Sequence, residues 1–168
     1  EKIKWVANKM PKSDDKHLGI MSLENVEAAR SFHRSFPQYD VTPLAKLDRL
    51  AGELGLANLA VKDESYRFGL NAFKVLGGSY ALGRYIAKRL GEDIADLPAS
   101  RILSDEVRKR LGEVTFVTAT DGNHGRGVAW AANKLGQKAV VHMPKGSVKS
   151  RFDNIAAEGA EVTIEDVN

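Results

Sequence analysis

Two short stretches hold the residues whose types and spacing could do chemistry. Lys74 lies in "RFGLNAFKVLGGSYALG", with Ala72, Phe73, Val75 and Leu76 around it and Gly77 and Gly78 just after. A lysine becomes a carbonyl-reactive nucleophile where burial lowers its pKa, and it then holds an aldehyde as a Schiff base. Most lysines on amphipathic helices instead sit in water. Two features favour chemistry here. One is the apolar company; the other is a glycine pair that costs about 1 kcal/mol per residue in a helix relative to alanine. Such a bare turn leaves room beside Lys74 for a bound group or a facing domain. The residues alone leave both readings of Lys74 open.

The second stretch is "TATDGNHGRG". A strand end, a turn and a helix start together present unpaired N–H groups suited to a carboxylate or phosphate. Asp121 within it could be a general base, but an Asp ahead of a helix reads first as a cap or Asx turn. His124 reads as packing or capping. In "MPKGSVKS", Ser147 reads as a helix N-cap and nothing demands chemistry. Gly122, Gly125 and Gly127 are spaced G-x-x-G-x-G, the reverse of the dinucleotide fingerprint, and the P-loop, H-E-x-x-H and G-x-S-x-G patterns are absent. Four scattered histidines without acids at ligand spacing argue against a metal site. With no cysteine there is no disulfide, thiolate nucleophile or Cys-based zinc site.

These stretches need elements to position them. "SLENVEAARSFHRSF" reads as a helix capped by Ser22 and stopped at Pro37, and "VTPLAKLDRLAGELG" as a second, with Thr42 as N-cap and Pro43 at its first position. "LAVKDES" is a short strand, followed by a long helix from about Asn71 to Leu90. "DIADLPASRILSDEVRKRLG" reads as a surface excursion with one short helix. "VTFVTAT" is a buried strand. "DGNHGRGVAWAANKLG" gives a turn and a helix stopped at Gly136. "KAVVHM", "SVKSRFDNIAAEG" and "AEVTIE" then read as strand, helix and strand. The alternation predicts an α/β fold, a parallel sheet with flanking helices in three layers. Its ligand site should lie at the carboxyl ends of the strands, at "TATDGNHG" and "HMPKGS".

The 168 residues are 43% hydrophobic and 28% charged, with a net charge of +3. Acids and bases interleave throughout, unlike the basic stripe of a nucleic-acid binder. No apolar run approaches the roughly 18 residues of a membrane span, and there is no signal-peptide core and no glycosylation sequon. The expected address is the cytoplasm. The chain stops just after a strand, and we expect a fragment of a longer protein.

Taken in order, "TPL", "VKDES", "FK" then Gly, "DGNHG" and "MPKG…GAEV" resemble the fold-type II family of pyridoxal-phosphate enzymes from Thr42 to Val162. Dehydratases of that family read S-F-K-x-R-G and S-G-N; here Ala72 and Leu76 replace the serine and arginine, and the turn is "TDGNHGRGVAW". Those longer strings resemble the branch of diaminopropionate ammonia-lyases. The resemblance implies pyridoxal 5'-phosphate as cofactor, with Lys74 as its Schiff-base lysine, Phe73 packing near its ring and Asn123 bonding its phenolic oxygen. It implies that the loop of Thr120, Asp121, Gly122, Asn123, His124 and Gly125 holds the substrate carboxylate, and that Asp121 is an acid–base residue for the α proton, particularly of the D isomer. The implied reaction is elimination of ammonia from the amino acid 2,3-diaminopropionate, giving pyruvate and a second ammonia, in an enzyme that is a homodimer when full length. Residues 1–60 would then be an arm and helices of a larger domain, and 61–168 the βα units with most of a smaller one. The family's phosphate-binding loop and the partner of the pyridine nitrogen lie in its later half, so the isolated segment should bind the cofactor weakly or not at all. A serine/threonine dehydratase and a non-catalytic doubly wound binding module are the alternatives.

Overall fold

A computed structural model describes Lys4, Val6, Ala7, Lys9 and residues 15–166. After a 3-10 turn at Asp15–Met21, α1 runs over Leu23–Arg34, with the Ser22 hydroxyl accepting the Asn25 N–H as its cap. The chain then departs from expectation. Leu44–Lys46 is a strand, β1, and only Asp48–Glu53 is helical, α2. β1 pairs antiparallel with β2 (Ala60–Lys62) in a separate two-stranded sheet.

Thr42 is no cap: its buried hydroxyl donates to Glu64 Oε1 at 2.6 Å, and Arg67 Nη2 donates to the same hydroxyl at 3.1 Å. The Pro43 carbonyl, which a helix would need, accepts the Asp63 N–H instead. Tertiary partners for Thr42 and Pro43 thus outweigh the local signal for a helix start.

The long helix, α3, spans Val75–Leu90 and not Asn71–Leu90, because Asn71 has φ +54°, outside helical space. Val75, Gly78, Ser79, Leu82 and Ile86 make its buried stripe, and Gly91 at φ +73° ends it. The segment expected as a surface excursion is core. It holds α4 (Ala99–Ile102) and α5 (Asp105–Leu111), and Leu97, Ala99, Ile102 and Val107 are essentially inaccessible to solvent. Its dense charges are confined to the outer side of those short helices, and that charge masked the apolar residues between.

The main sheet contains β3 (Thr115–Ala119), β4 (Lys138–Pro144) and β5 (Glu161–Glu165), all parallel in the order β3-β4-β5. α6 (Asn123–Lys134) and α7 (Lys149–Ala156) make the crossovers. The parallel sheet with flanking helices is the one expected. Because the order advances without reversing, right-handed crossovers place both helices on one face. There Ala129 and Ile155 pack on Val141 and Met143. β3 is an edge strand, not a buried one, and Val117 on the opposite face is 62% exposed. Ser147 does not cap α7; its hydroxyl donates to the Pro144 carbonyl, and Val148 holds the cap position.

The larger core joins Phe32 of α1, Phe36 just beyond its end, Val75, Leu82 and Ile86 of α3, and Trp130 of α6. Phe68 completes it, 4.8 Å from Trp130 between ring centroids and 6.1 Å from Phe36. Beside that cluster, buried Arg67 is paired with Glu64 at 2.8 Å and lies over the Tyr39 ring. The Arg67 hydrogen bond, supported by Thr42, holds the Glu64 carboxyl at a pKa of about 2, below its ordinary 4.5. A depressed folded-state pKa contributes stability above the unfolded value and loses it as pH falls toward the folded one. The stability gap between the wild type and Glu64→Gln, followed by denaturant unfolding, should therefore be constant above about pH 5 and shrink as pH falls from 4.5 toward 2.

Candidate active site

The chain reaches Lys74 through a constrained path. From the end of the 3-10 turn at Glu64–Gly69, three of the four positions 68–71 are left-handed: Phe68 at φ +51°, Gly69 at +71° and Asn71 at +54°. Each non-glycine residue in that region costs about 1–3 kcal/mol and persists only where its surroundings hold it. Here the Phe68 ring is locked in the aromatic core, and Arg126 Nη1 donates to the Leu70 carbonyl at 3.2 Å. Arg126 is held in turn by Glu158, 2.8 Å from its Nε. Lys74 then sits at the cap position of α3, exposed, with Phe73 59% exposed beside it. The apolar neighbours Val75 and Leu76 turn into the core and do not enclose the lysine.

Of the two glycines only Gly78 departs from expectation. A Cβ on Gly78 would lie 3.6 Å from Gly127 and Val128 of α6, so this glycine faces the neighbouring helix and not a bound group. A Cβ on Gly77 would point into open space. The tight position is Gly127, where a Cβ would lie 2.9 Å from both the N and Cα of Val75 and 3.2 Å from the Lys74 carbonyl carbon. The backbone at the start of α3 thus rests directly on α6, and this fixes how close Lys74 comes to the loop that opens α6.

That loop leaves the carboxyl end of β3. The Thr120 N–H donates to the His142 carbonyl at 2.9 Å, and its hydroxyl accepts the Gly122 N–H at 3.1 Å. Gly125 is buried, and a side chain there would overlap the Thr120 methyl and crowd Val141. Asn123, His124 and Gly125 open α6, so their N–H groups have no carbonyl one turn back. Arg151, from the first turn of α7, donates through Nη1 to both the Asp121 carbonyl and Asp121 Oδ2 at 3.1 Å. Both side chains are more than half exposed, and such a pair contributes about 1 kcal/mol or less.

One cavity of about 170 Å³ is lined by Lys74, Asp121, Gly122, Asn123 and Arg151. A second, of about 280 Å³, shares Asp121 and adds Thr120, His142, Pro144 and Glu165. There the Thr163 hydroxyl and His142 Nδ1 both bond Glu165 Oε1, holding its carboxyl below the ordinary range. The structure therefore brings Lys74, Asp121, Gly122 and Asn123 to one cavity and Thr120 to the adjoining one. Phe73, His124 and Gly125 line neither. Arg151, Arg126 and Gly127 are the contributors that the sequence reading missed. Among the described residues no cluster of three or more metal-ligating side chains occurs, and no helix is long and apolar enough to cross a membrane.

The profile of the family described as "Pyridoxal-phosphate dependent enzyme" matches residues 36–165, which is most of the chain. The chain belongs to that family. It is 56% identical over 138 residues to a diaminopropionate ammonia-lyase of Salmonella typhimurium, covering 82% of this chain and 34% of that protein. It is also similar to the crystal structure of the apo diaminopropionate ammonia-lyase of Escherichia coli, with a TM-score of 0.82, 47% identity, and coverage of 89% of this chain and 40% of that one. A structure of the same Escherichia coli enzyme with D-serine matches equally, at TM-score 0.82 and 47% identity, covering 89% of this chain and 37% of that one. The chain thus spans well under half the length of these relatives.

The residues present fit the family's cofactor. A primary amine at Lys74 can condense with an aldehyde, Asn123 offers an amide for hydrogen bonding, and both line one cavity. Gly127 should tolerate a methyl group poorly, because the atoms that it would meet are backbone. Gly127→Ala is expected to destabilise by about 1–3 kcal/mol through overpacking against the backbone of Lys74 and Val75. Gly77→Ala should instead gain up to about 1 kcal/mol of helix propensity. Denaturant unfolding of the pair measures both.

Proposed function

We propose that this chain is the lysine-bearing part of a pyridoxal-phosphate-dependent ammonia-lyase that converts 2,3-diaminopropionate to pyruvate and ammonia. The observation that carries the reading is that Lys74, at the start of α3, meets Asp121 and Asn123, from the loop that opens α6, at one cavity. The similarity to diaminopropionate ammonia-lyases supports the choice of substrate. Lys74 provides the amine that binds the cofactor's aldehyde, Asn123 bonds its phenolic oxygen, and Phe73 flanks its ring. When bound, the cofactor supplies an electron-withdrawing ring that accepts the electron pair released at the substrate's α carbon. Thr120, Asp121, Gly122, Asn123, His124 and Gly125 form the loop whose N–H groups hold the substrate carboxylate. Asp121 Oδ2 takes the α proton of the D isomer, a general-base step. The D-serine complex of the Escherichia coli relative supports a site open to D amino acids.

The same reading divides the chain near residue 60, with 1–60 belonging to a larger domain and 61–168 carrying most of a smaller one. It makes the complete enzyme a cytoplasmic homodimer. The absence of cysteine and the mixed surface charge are in keeping with that address and with small-molecule rather than nucleic-acid partners.

In the complete enzyme, borohydride reduction with pyridoxal phosphate should label Lys74, and 2,3-diaminopropionate should yield pyruvate. Pyruvate from serine alone would instead identify a dehydratase, and label absent from Lys74 would favour a non-catalytic binding module. Asp121→Asn should keep the fold and the Lys74 label and lose at least about 100-fold of D-isomer turnover. Unchanged D-isomer kinetics would return Asp121 to a capping role. The isolated 168-residue chain is expected to bind the cofactor weakly or not at all and to turn nothing over.

A further inference from the structure

Arg151 is a cation at the candidate site for which the reading above has no use. It comes from α7, outside both βα loops, yet it lines the same cavity as Lys74, Asp121 and Asn123. Its methylene Cδ lies 3.6 Å from where a Cβ on Gly122 would be, so its stem runs along the loop that opens α6. Its Nη1 is shared between the carbonyl and the Oδ2 of Asp121, at 3.1 Å each. Both partners are more than half exposed, so the pair is cheap to break. A guanidinium also presents five donors in a planar fork and binds a carboxylate best through two of them. The described side-chain contacts use one donor nitrogen, on two acceptors of a single residue.

We propose that Arg151 is a second holder of the substrate carboxylate, beside the N–H groups of the loop at 120–125. It holds the Asp121 carboxylate in the arrangement seen here and transfers to the α-carboxylate of an incoming amino acid. The proposal rests on the reading of Lys74 and Asp121 given above. Exchange of one carboxylate for another leaves the charge around the guanidinium unchanged. It also leaves Asp121 Oδ2 free of its donor. The α C–H bond can then break with its electron pair remaining at the α carbon, while the proton forms a new bond to Oδ2. Arg151 would thereby couple recognition of an amino acid to release of the base, and an amine lacking the carboxylate would leave Asp121 engaged.

The test compares 2,3-diaminopropionate with its carboxamide in the complete enzyme and in Arg151→Met and Arg151→Lys. Arg151→Met is expected to raise KM for the amino acid about tenfold or more, as loss of a charge-assisted pair does, with the carboxamide KM unchanged. Arg151→Lys should recover part of the loss. In the wild type, the Arg151 Nε resonance should shift on adding D-alanine and not D-alaninamide, a readout that needs neither a variant nor turnover. An unchanged ratio of acid to amide KM, or an Nε resonance that ignores D-alanine, overturns the proposal. Borohydride labelling at Lys74 separates the two layers: label present with no Arg151 effect rejects this inference alone, and label absent rejects the reading beneath it.

Discussion

The site depends on one close approach, the backbone of Lys74 and Val75 resting on Gly127. Any side chain there would meet backbone atoms at about 2.9 Å, and backbone cannot rotate out of the way as a side-chain tip can. That contact sets the spacing of α3 and α6, and with it the distance between the lysine and the loop of Asp121 and Asn123. Everything upstream serves the same contact. The Arg67–Glu64–Thr42 network anchors the turn, Phe68 fills the aromatic core, and Arg126 grips the Leu70 carbonyl. The lysine is exposed, but the segment that carries it is among the most constrained in the chain.

Much of this was legible in the sequence because it rests on local or periodic signals. The α1 cap at Ser22, the stop at Gly136 and the strand–helix–strand succession from β3 to β5 follow from chemistry within a few residues. The failures share another cause. Thr42-Pro43 has every local mark of a helix start, yet its hydroxyl and carbonyl are taken by Glu64 and Asp63, some twenty residues away. The charges of "DIADLPASRILSDEVRKR" hid a run of core residues at Leu97, Ala99 and Ile102.

At the site, the lysine and the asparagine loop were visible as strings, whereas Arg151 and Arg126 were not. Their roles are defined by carbonyls on other elements, and no spacing rule connects Arg151 to Asp121, thirty residues earlier. The glycines teach the same lesson. Gly77 and Gly78 drew notice because they sit next to the lysine, but the one that touches its backbone is Gly127, about fifty residues away in sequence and in contact in space.

Phe68 combines two properties that are usually separate: it is a core aromatic, and it is one of two described non-glycine residues with a left-handed backbone. A core position is ordinarily free to exchange one apolar side chain for another of similar volume. This one is not, because a β-branched replacement would resist the backbone angle while glycine would empty the core. Packing and chain direction are therefore inherited together at a single residue. Repacking the aromatic cluster also re-aims the lysine six residues downstream, so the hydrophobic core of this fold is part of the address of its nucleophile.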